Sequence, residues 1–196
     1  MNKIELRNYC REKIKETPLD CFHDWGKEMF KIVSVTPEWK NSSTIFLFVS
    51  TPDEVDTMPF LLAALGDRKT VCVPKITGCG KMDAVQIENI SQLEKGRFGI
   101  FEPTADCVKV KKKKIDLIIL PCFAADSTGK RLGKGGGYYD RYCEDIKCKK
   151  ITLCPEMLLF DDGIIPTEKW DIRTDYIASE KRLIKAVTGN GDKKEI

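Results

Sequence analysis

The sequence has one histidine, His23, in 196 residues. A Ser-His or Cys-His nucleophile pair would have to be built on that single ring, and nothing around it suggests one. His23 sits beside an apolar helical stripe and is read as structural. The nine cysteines, Cys10, Cys21, Cys72, Cys79, Cys107, Cys122, Cys143, Cys148 and Cys154, contain no C-x-x-C pair, which argues against a zinc knuckle or a redox motif of that kind. Several lie in apolar runs such as "TVCVP" and "ITLCP", so they are read as small buried hydrophobes in a reducing compartment. No apolar run approaches the ~20 residues of a membrane span, and no charged-then-apolar leader opens the chain. The expectation is a soluble, unexported, cytoplasmic protein with no membrane partner. Charge of one sign is also scarce, since 33 Lys and Arg face 30 Asp and Glu for a net charge of +3. That balance disfavours a nucleic-acid partner, and "KVKKKKID" is read as a solvated approach to a strand.

What is present is enough chain for one globular unit, expected over residues 1–187, with 188–196 as a frayed tail. "NKIELRNYCREKIK" reads as a helix with Asn2 as N-cap and Glu5 as its reciprocal partner, ended at Thr17-Pro18. Phe22, Trp25, Met29, Ile32 and Val33 recur at helical spacing, and a "TPEW" loop should follow. "TIFLFV" is a buried strand, "DTMPFLLAAL" a helix, and "TVCVP", "MDAVQI" and "IDLIILP" are further strands. After a glycine loop come a helix around "YYDRYCEDIK" and late strands at "ITLC" and "DYIAS". The alternation predicts an α/β fold with a largely parallel sheet and helices on both faces. In such sheets ligands bind at the carboxyl ends of strands, which directs attention to the segments after "TIFLFV" and "IDLIILP".

The second of these is "GKRLGKGGGYYDRYC", with five glycines in fifteen residues. Consecutive glycines let the backbone approach a ligand and turn N–H groups inward as an anion nest. Arg131 and Lys134 add positive charge for phosphate oxygens, and Asp140 a carboxylate for a hard cation. This outlines a nucleotide-triphosphate site without being a Walker A loop or a G-x-G-x-x-G fingerprint. Lys3, Arg7 and Arg11 form a cationic stripe on the first helix, and Asp171 or Asp175 near the end could complete a magnesium site with Asp140.

"LPCFAADSTGKRLGKGGGYYDRY" resembles the signature of the 5-formyltetrahydrofolate cyclo-ligase family, P-G-x-x-F-D-x-x-G-x-R-L-G-x-G-x-G-Y-Y-D. The resemblance extends to the Lys-x-x-x-Arg of the first helix, Glu54 in "PDEVDT", Pro74, Met82, Phe98 and "IPTEKWD", and runs to about Glu180. It implies that Lys3, Arg7 and the loop Arg131, Leu132, Gly133, Lys134, Gly135, Gly136, Gly137, Tyr138 and Tyr139 bind ATP. It further implies that Val49, Glu54, Phe98 and Lys134 to Tyr138 contact the folate, that Asp140 and Asp171 hold Mg2+, and that Arg131 and Lys134 carry the catalytic charge. Two segments depart from the family pattern. Cys122 and Ala125 stand where Gly and Phe are usual, and "TLCPEMLLF" lacks the usual small-aromatic-x-x-Gln run.

The implied reaction is ATP-dependent closure of 5-formyltetrahydrofolate to 5,10-methenyltetrahydrofolate, releasing ADP and phosphate through a phosphorylated formyl intermediate. The implied fold is a three-layer α/β/α unit like those of sugar-phosphate isomerases and CoA transferases, and a monomer is expected. Rival readings are a same-fold isomerase, which would turn over without ATP, and a non-catalytic binder of 5-formyltetrahydrofolate.

Overall fold

The computed structural model describes residues 1–96 and 100–187. Phe98 and the tail expected at 188–196 lie outside the described residues. Helix α1 (Lys3–Glu16) starts as read: the Asn2 side chain accepts from the N–H groups of Ile4 and Glu5, and the Glu5 carboxylate accepts the Asn2 N–H at 2.9 Å. This reciprocal cap satisfies donors that a helix start leaves open. Helix α2 (Leu19–Ser34) buries Phe22, Gly26, Met29 and Val33. The "TPEW" segment, expected as a loop, instead forms the single turn α3 (Pro37–Lys40), because the Thr36 hydroxyl caps it by accepting the Trp39 N–H.

The remaining elements are β1 (Thr44–Leu47), α4 (Met58–Gly66), β2 (Thr70–Gly78), β3 (Lys81–Ile87), β4 (Leu93–Lys95), β5 (Phe101–Pro103), β6 (Leu117–Leu120), β7 (Ala124–Asp126), β8 (Arg131–Leu132), α5 (Tyr138–Cys143), β9 (Lys149–Leu153), β10 (Leu159–Phe160), β11 (Tyr176–Ala178) and β12 (Leu183–Lys185). Seven strands make the main sheet in the order β12-β11-β9-β6-β1-β2-β3. The five central strands pair in parallel, and the edge pairs β2/β3 and β11/β12 are antiparallel. The "MDAVQI" run is thus a strand as read, but as the return arm of a hairpin. Only Cys79 and Gly80 separate it from β2, and a parallel crossover needs a dozen residues or more.

Alternation assigns the layers. Ile45, Leu47, Leu117, Ile119 and Ile151 face one core with residues of α2, α3 and α4. Phe46, Ile118 and Leu120 face the other with Tyr142 and Cys143 of α5. Sheet strands buried on both faces explain the unbroken apolar runs. A third cluster joins Leu6 and Cys10 of α1 to Ala124, Ala125, Leu132, Cys154 and Ile177, and so fixes α1 against a small sheet of order β10-β7-β8. Lys112–Lys114 make an exposed 3-10 turn before β6, with the Lys112 ammonium 4.7 Å from the Tyr142 ring. The cysteines are less uniformly buried than expected: Cys10, Cys72, Cys143 and Cys154 are buried, Cys21, Cys107, Cys122 and Cys148 half-buried, and Cys79 exposed on the hairpin turn. No helix of the described residues is long and apolar enough to cross a membrane.

Candidate active site

The loop 133–137 links β8 to α5 and is the wall between two cavities. A cleft of about 820 Å³ is lined by Lys3, Arg7, Gly135, Gly137, Asp140, Arg141, Glu168, Trp170 and Asp171, among others. A smaller pocket of about 220 Å³ has Val49, Glu54, Pro74, Met82, Arg131 and residues 133 to 139 in its lining. Gly135 and Gly137 belong to both. Their φ angles of 108° and 63° lie where a Cβ is disfavoured, so glycine is what lets the chain turn twice between the cavities. Helix α5 begins at Gly137 with no side-chain cap. It has six residues, so the loop offers bare N–H groups more than a helix dipole.

Three cations are held differently around this wall. Arg131, its side chain 3% exposed, donates to Asp140 at 2.7 Å. The same Asp140 oxygen accepts the Ile172 N–H at 3.2 Å. The sequence reading makes Arg131 a phosphate binder, whereas here it is a buried charge fixed on Asp140. Its Nε is buried without a partner among the described residues. Arg7 reaches across from α1 and donates to the Gly133 carbonyl at 2.9 Å. A Cβ at Gly135 would lie 3.5 Å from the Arg7 guanidinium. Lys134 is the accessible cation, paired with Glu54 at 2.8 Å with its side chain 46% exposed. The other Glu54 oxygen accepts the N–H and hydroxyl of Thr51, both at 2.9 Å. The segments after β1 and β6, distant in sequence, therefore meet in one ion pair.

Lys3 lines the large cleft, donating to Asp171 at 2.6 Å and Glu168 at 2.7 Å. Burial alone would lower its pKa, but the bonds to Asp171 and Glu168 and their charges outweigh it, and the ammonium is held above its ordinary value. Tyr139 is also shifted up, which for a phenol keeps the neutral form: burial, then the charge of Glu54, pushes its hydroxyl up, so it stays protonated.

Asp140 and Asp171 each have one oxygen engaged, leaving Oδ2 of Asp140 and Oδ1 of Asp171 with no partner among the described residues. Two free carboxylate oxygens on a cleft fit the way Mg2+ is usually held, by one or two carboxylates together with substrate phosphates and water. Among the described residues no cluster of three or more His, Cys, Asp or Glu side chains could hold a metal without such help.

Several expected residues fall elsewhere. The Leu132 side chain is buried in the core under α1 and lines neither cavity. Gly133 and Tyr139, expected at the nucleotide, and Lys134, Gly136 and Tyr138, expected at both nucleotide and folate, line the smaller pocket and not the large cleft. Arg11 leaves the cationic stripe to lie over the Phe123 ring at 5.6 Å. Asp175 is taken by Lys149 and the Lys150 N–H, away from both cavities. His23 bonds Asp56 at 2.6 Å, and Asp56 also caps α4 through the Met58 N–H, so this ring pins α2 to the strand-end loop. The sequence reading missed Arg141, one turn into α5, which curls back to donate to the carbonyls of Gly80 and Gly136. Its place beside Asp140 and one turn from Gly137 was the available cue.

Comparison with known proteins identifies the family. Residues 2–180 match the 5-formyltetrahydrofolate cyclo-ligase family. The chain belongs to that family. It is 30% identical over 166 residues to the 5-formyltetrahydrofolate cyclo-ligase of Escherichia coli K12, covering 82% of this chain and 90% of the relative. A probable 5-formyltetrahydrofolate cyclo-ligase of Schizosaccharomyces pombe is 28% identical, over 80% of this chain and 84% of the relative. The solved structure of Aquifex aeolicus 5,10-methenyltetrahydrofolate synthetase superposes with a TM-score of 0.84 at 28% identity, covering 100% of this chain and 97% of that one. The cyclo-ligase family is a family of ligases in folate one-carbon metabolism, and the ligase reading of the sequence stands with it.

Proposed function

We propose that this chain uses ATP to convert 5-formyltetrahydrofolate to 5,10-methenyltetrahydrofolate, with the nucleotide in the large cleft and the folate in the smaller pocket. The observation that carries this reading is the shared wall: Gly135 and Gly137 line both cavities, so a γ-phosphate on the loop faces the substrate across it. Lys3 and Arg7 hold the nucleotide from one side. Glu54, Val49 and the face of Tyr138 hold the pterin, and Phe98 belongs to the same proposal. Asp140 and Asp171 would hold Mg2+, which when bound neutralises phosphate charge. The unit acts as a monomer in the cytoplasm, without nucleic acid.

The chemistry needs no protein nucleophile. The formyl oxygen attacks the γ-phosphorus and ADP leaves, giving an iminium phosphate. The N10 amine then adds to the formyl carbon, loses its proton, and phosphate departs with the former formyl oxygen. Phosphoryl transfer of this kind depends on position and on stabilising the charge spread over the transferred oxygens. The loop N–H groups and Lys134 suit that task, with Arg131 fixing Asp140 from behind. Lys134 is released from Glu54 when a phosphate enters, and Glu54 is then free to accept from the pterin.

The test is near-ultraviolet absorbance of the methenyl product from purified protein, 5-formyltetrahydrofolate and Mg2+, with and without ATP. A rise only with ATP is expected. Folate binding by calorimetry with no rise would identify a sequestering protein instead.

A further inference from the structure

The two departures from the family pattern lie together in space. Cys122 follows β6 and Cys154 follows β9, and these strands run parallel with Leu120 opposite Thr152. Continued two residues past that last pair, the same register would set Cys122 beside Cys154. Cys122 Sγ donates to the Leu153 carbonyl at 3.4 Å, and Cys154 Sγ to that of Leu158 at 3.4 Å. Both residues pack into the cluster beneath α1, and the carbonyl that Cys122 Sγ meets belongs to the residue just before Cys154. Adjacent strands lie about 4.8 Å apart, inside the Cα separation of about 4.4–6.8 Å that a disulfide spans.

We infer that Cys122 and Cys154 are an oxidisable thiol pair, closed to a disulfide by a peroxide and reopened by a thiol reductant, and that closure switches the enzyme down. Cys122 is half-buried and borders a small cavity shared with Glu54 and Pro121, whereas Cys154 is fully buried. Cys122 is therefore the sulfur a solvent oxidant meets first. Its thiolate attacks the peroxide O–O bond, expelling hydroxide and leaving a sulfenic acid. The Cys154 thiol then displaces water from that sulfur. Two thiols are oxidised to one disulfide, and one peroxide is reduced to two waters.

The position of the pair says why activity should fall. Pro121, one residue before, lines the smaller pocket. Phe123, one residue after, carries its ring 5.8 Å from the Lys134 ammonium and donates its N–H to the Leu132 carbonyl at 2.7 Å. A covalent tie from 122 to the neighbouring strand end constrains the segment that joins the pocket wall to the glycine loop.

The decisive experiment treats the whole protein with hydrogen peroxide, alkylates the remaining thiols, and maps the peptides before and after dithiothreitol, with turnover measured in parallel. The expected result is a Cys122–Cys154 cross-linked peptide that disappears on reduction. kcat/KM for the folate should fall about tenfold and recover on reduction, and Cys122→Ser should show neither effect. Cys122→Gly supplies the same comparison if Cys122→Ser fails to fold. Recovery of Cys122 as an alkylated, sulfinic or Cys10-linked peptide would overturn the pairing. A cross-link with unchanged kinetics would overturn the switch. Because the cross-link is read without turnover, untreated protein that makes no methenyl product would refute the cyclo-ligase reading alone.

Discussion

Arg131 and Lys134 stand three residues apart, and each meets one carboxylate, at 2.7 and 2.8 Å. Their surroundings make them different devices. Arg131 is in β8 with its side chain 3% exposed, and its partner Asp140 is itself mostly buried. Lys134 is on the loop with 46% of its side chain exposed. Breaking a buried pair leaves a charge that nothing else solvates, whereas an exposed pair contributes little to stability and exchanges partners readily. The arginine therefore belongs to the frame that positions Asp140, and the lysine to the part that can leave its partner for a substrate.

The comparison breaks first at Asp140. Asp140→Ala should cost about 3–5 kcal/mol of stability by stranding Arg131, measured by urea unfolding, with turnover lost. Asp140→Asn keeps an oxygen for Arg131, so most of the stability should return while the Mg2+ concentration needed for turnover rises. Unchanged Mg2+ dependence would show that Asp140 is not a ligand. Next, Lys134→Ala should lower kcat/KM on the order of a hundredfold, about 3 kcal/mol of transition-state stabilisation. Its urea midpoint should stay close to that of the parent. A large stability loss there would erase the distinction between the two cations.

Gly135→Ala tests the wall that separates the cavities. At φ 108° a side chain brings strain of about 1–3 kcal/mol, and the KM for ATP should rise about tenfold while the fold survives. The smallest effect concerns Lys3. Its pKa in the folded protein lies above 10.5, so the stability it adds is complete below the unfolded value and is lost as pH rises through the folded one. The difference between parent and Lys3→Met in urea unfolding should be flat from about pH 6 to 9 and shrink only beyond about pH 10.4.

Much of this frame was legible in the sequence because burial on both sheet faces writes itself as unbroken apolar runs such as "TIFLFV" and "IDLIILP". The cap at Asn2 and Glu5 was legible because both halves of the bond are local. Strand sense at "MDAVQI" was not, since alternation gives a face and not a partner. β7, β8 and β10 have two or three residues each, too few for any period. The glycine loop announced its chemistry through composition, and the strand-end rule brought Glu54 to its neighbourhood. That Arg131 would be buried and Lys134 exposed could not be read, because the two look alike along the chain and differ only in what packs around them. The role of Leu132 is a related case: its place within a dense motif suggested contact with ligand, whereas its side chain serves the core.

The most direct test of the central claim, that the loop presents the γ-phosphate to the formyl oxygen across its own backbone, is to label that oxygen. With 5-formyltetrahydrofolate carrying oxygen-18 in the formyl group, a single round of ATP-dependent closure should release phosphate containing the label. Unlabelled phosphate alongside methenyl product would mean that the oxygen leaves by another route, and would contradict the account.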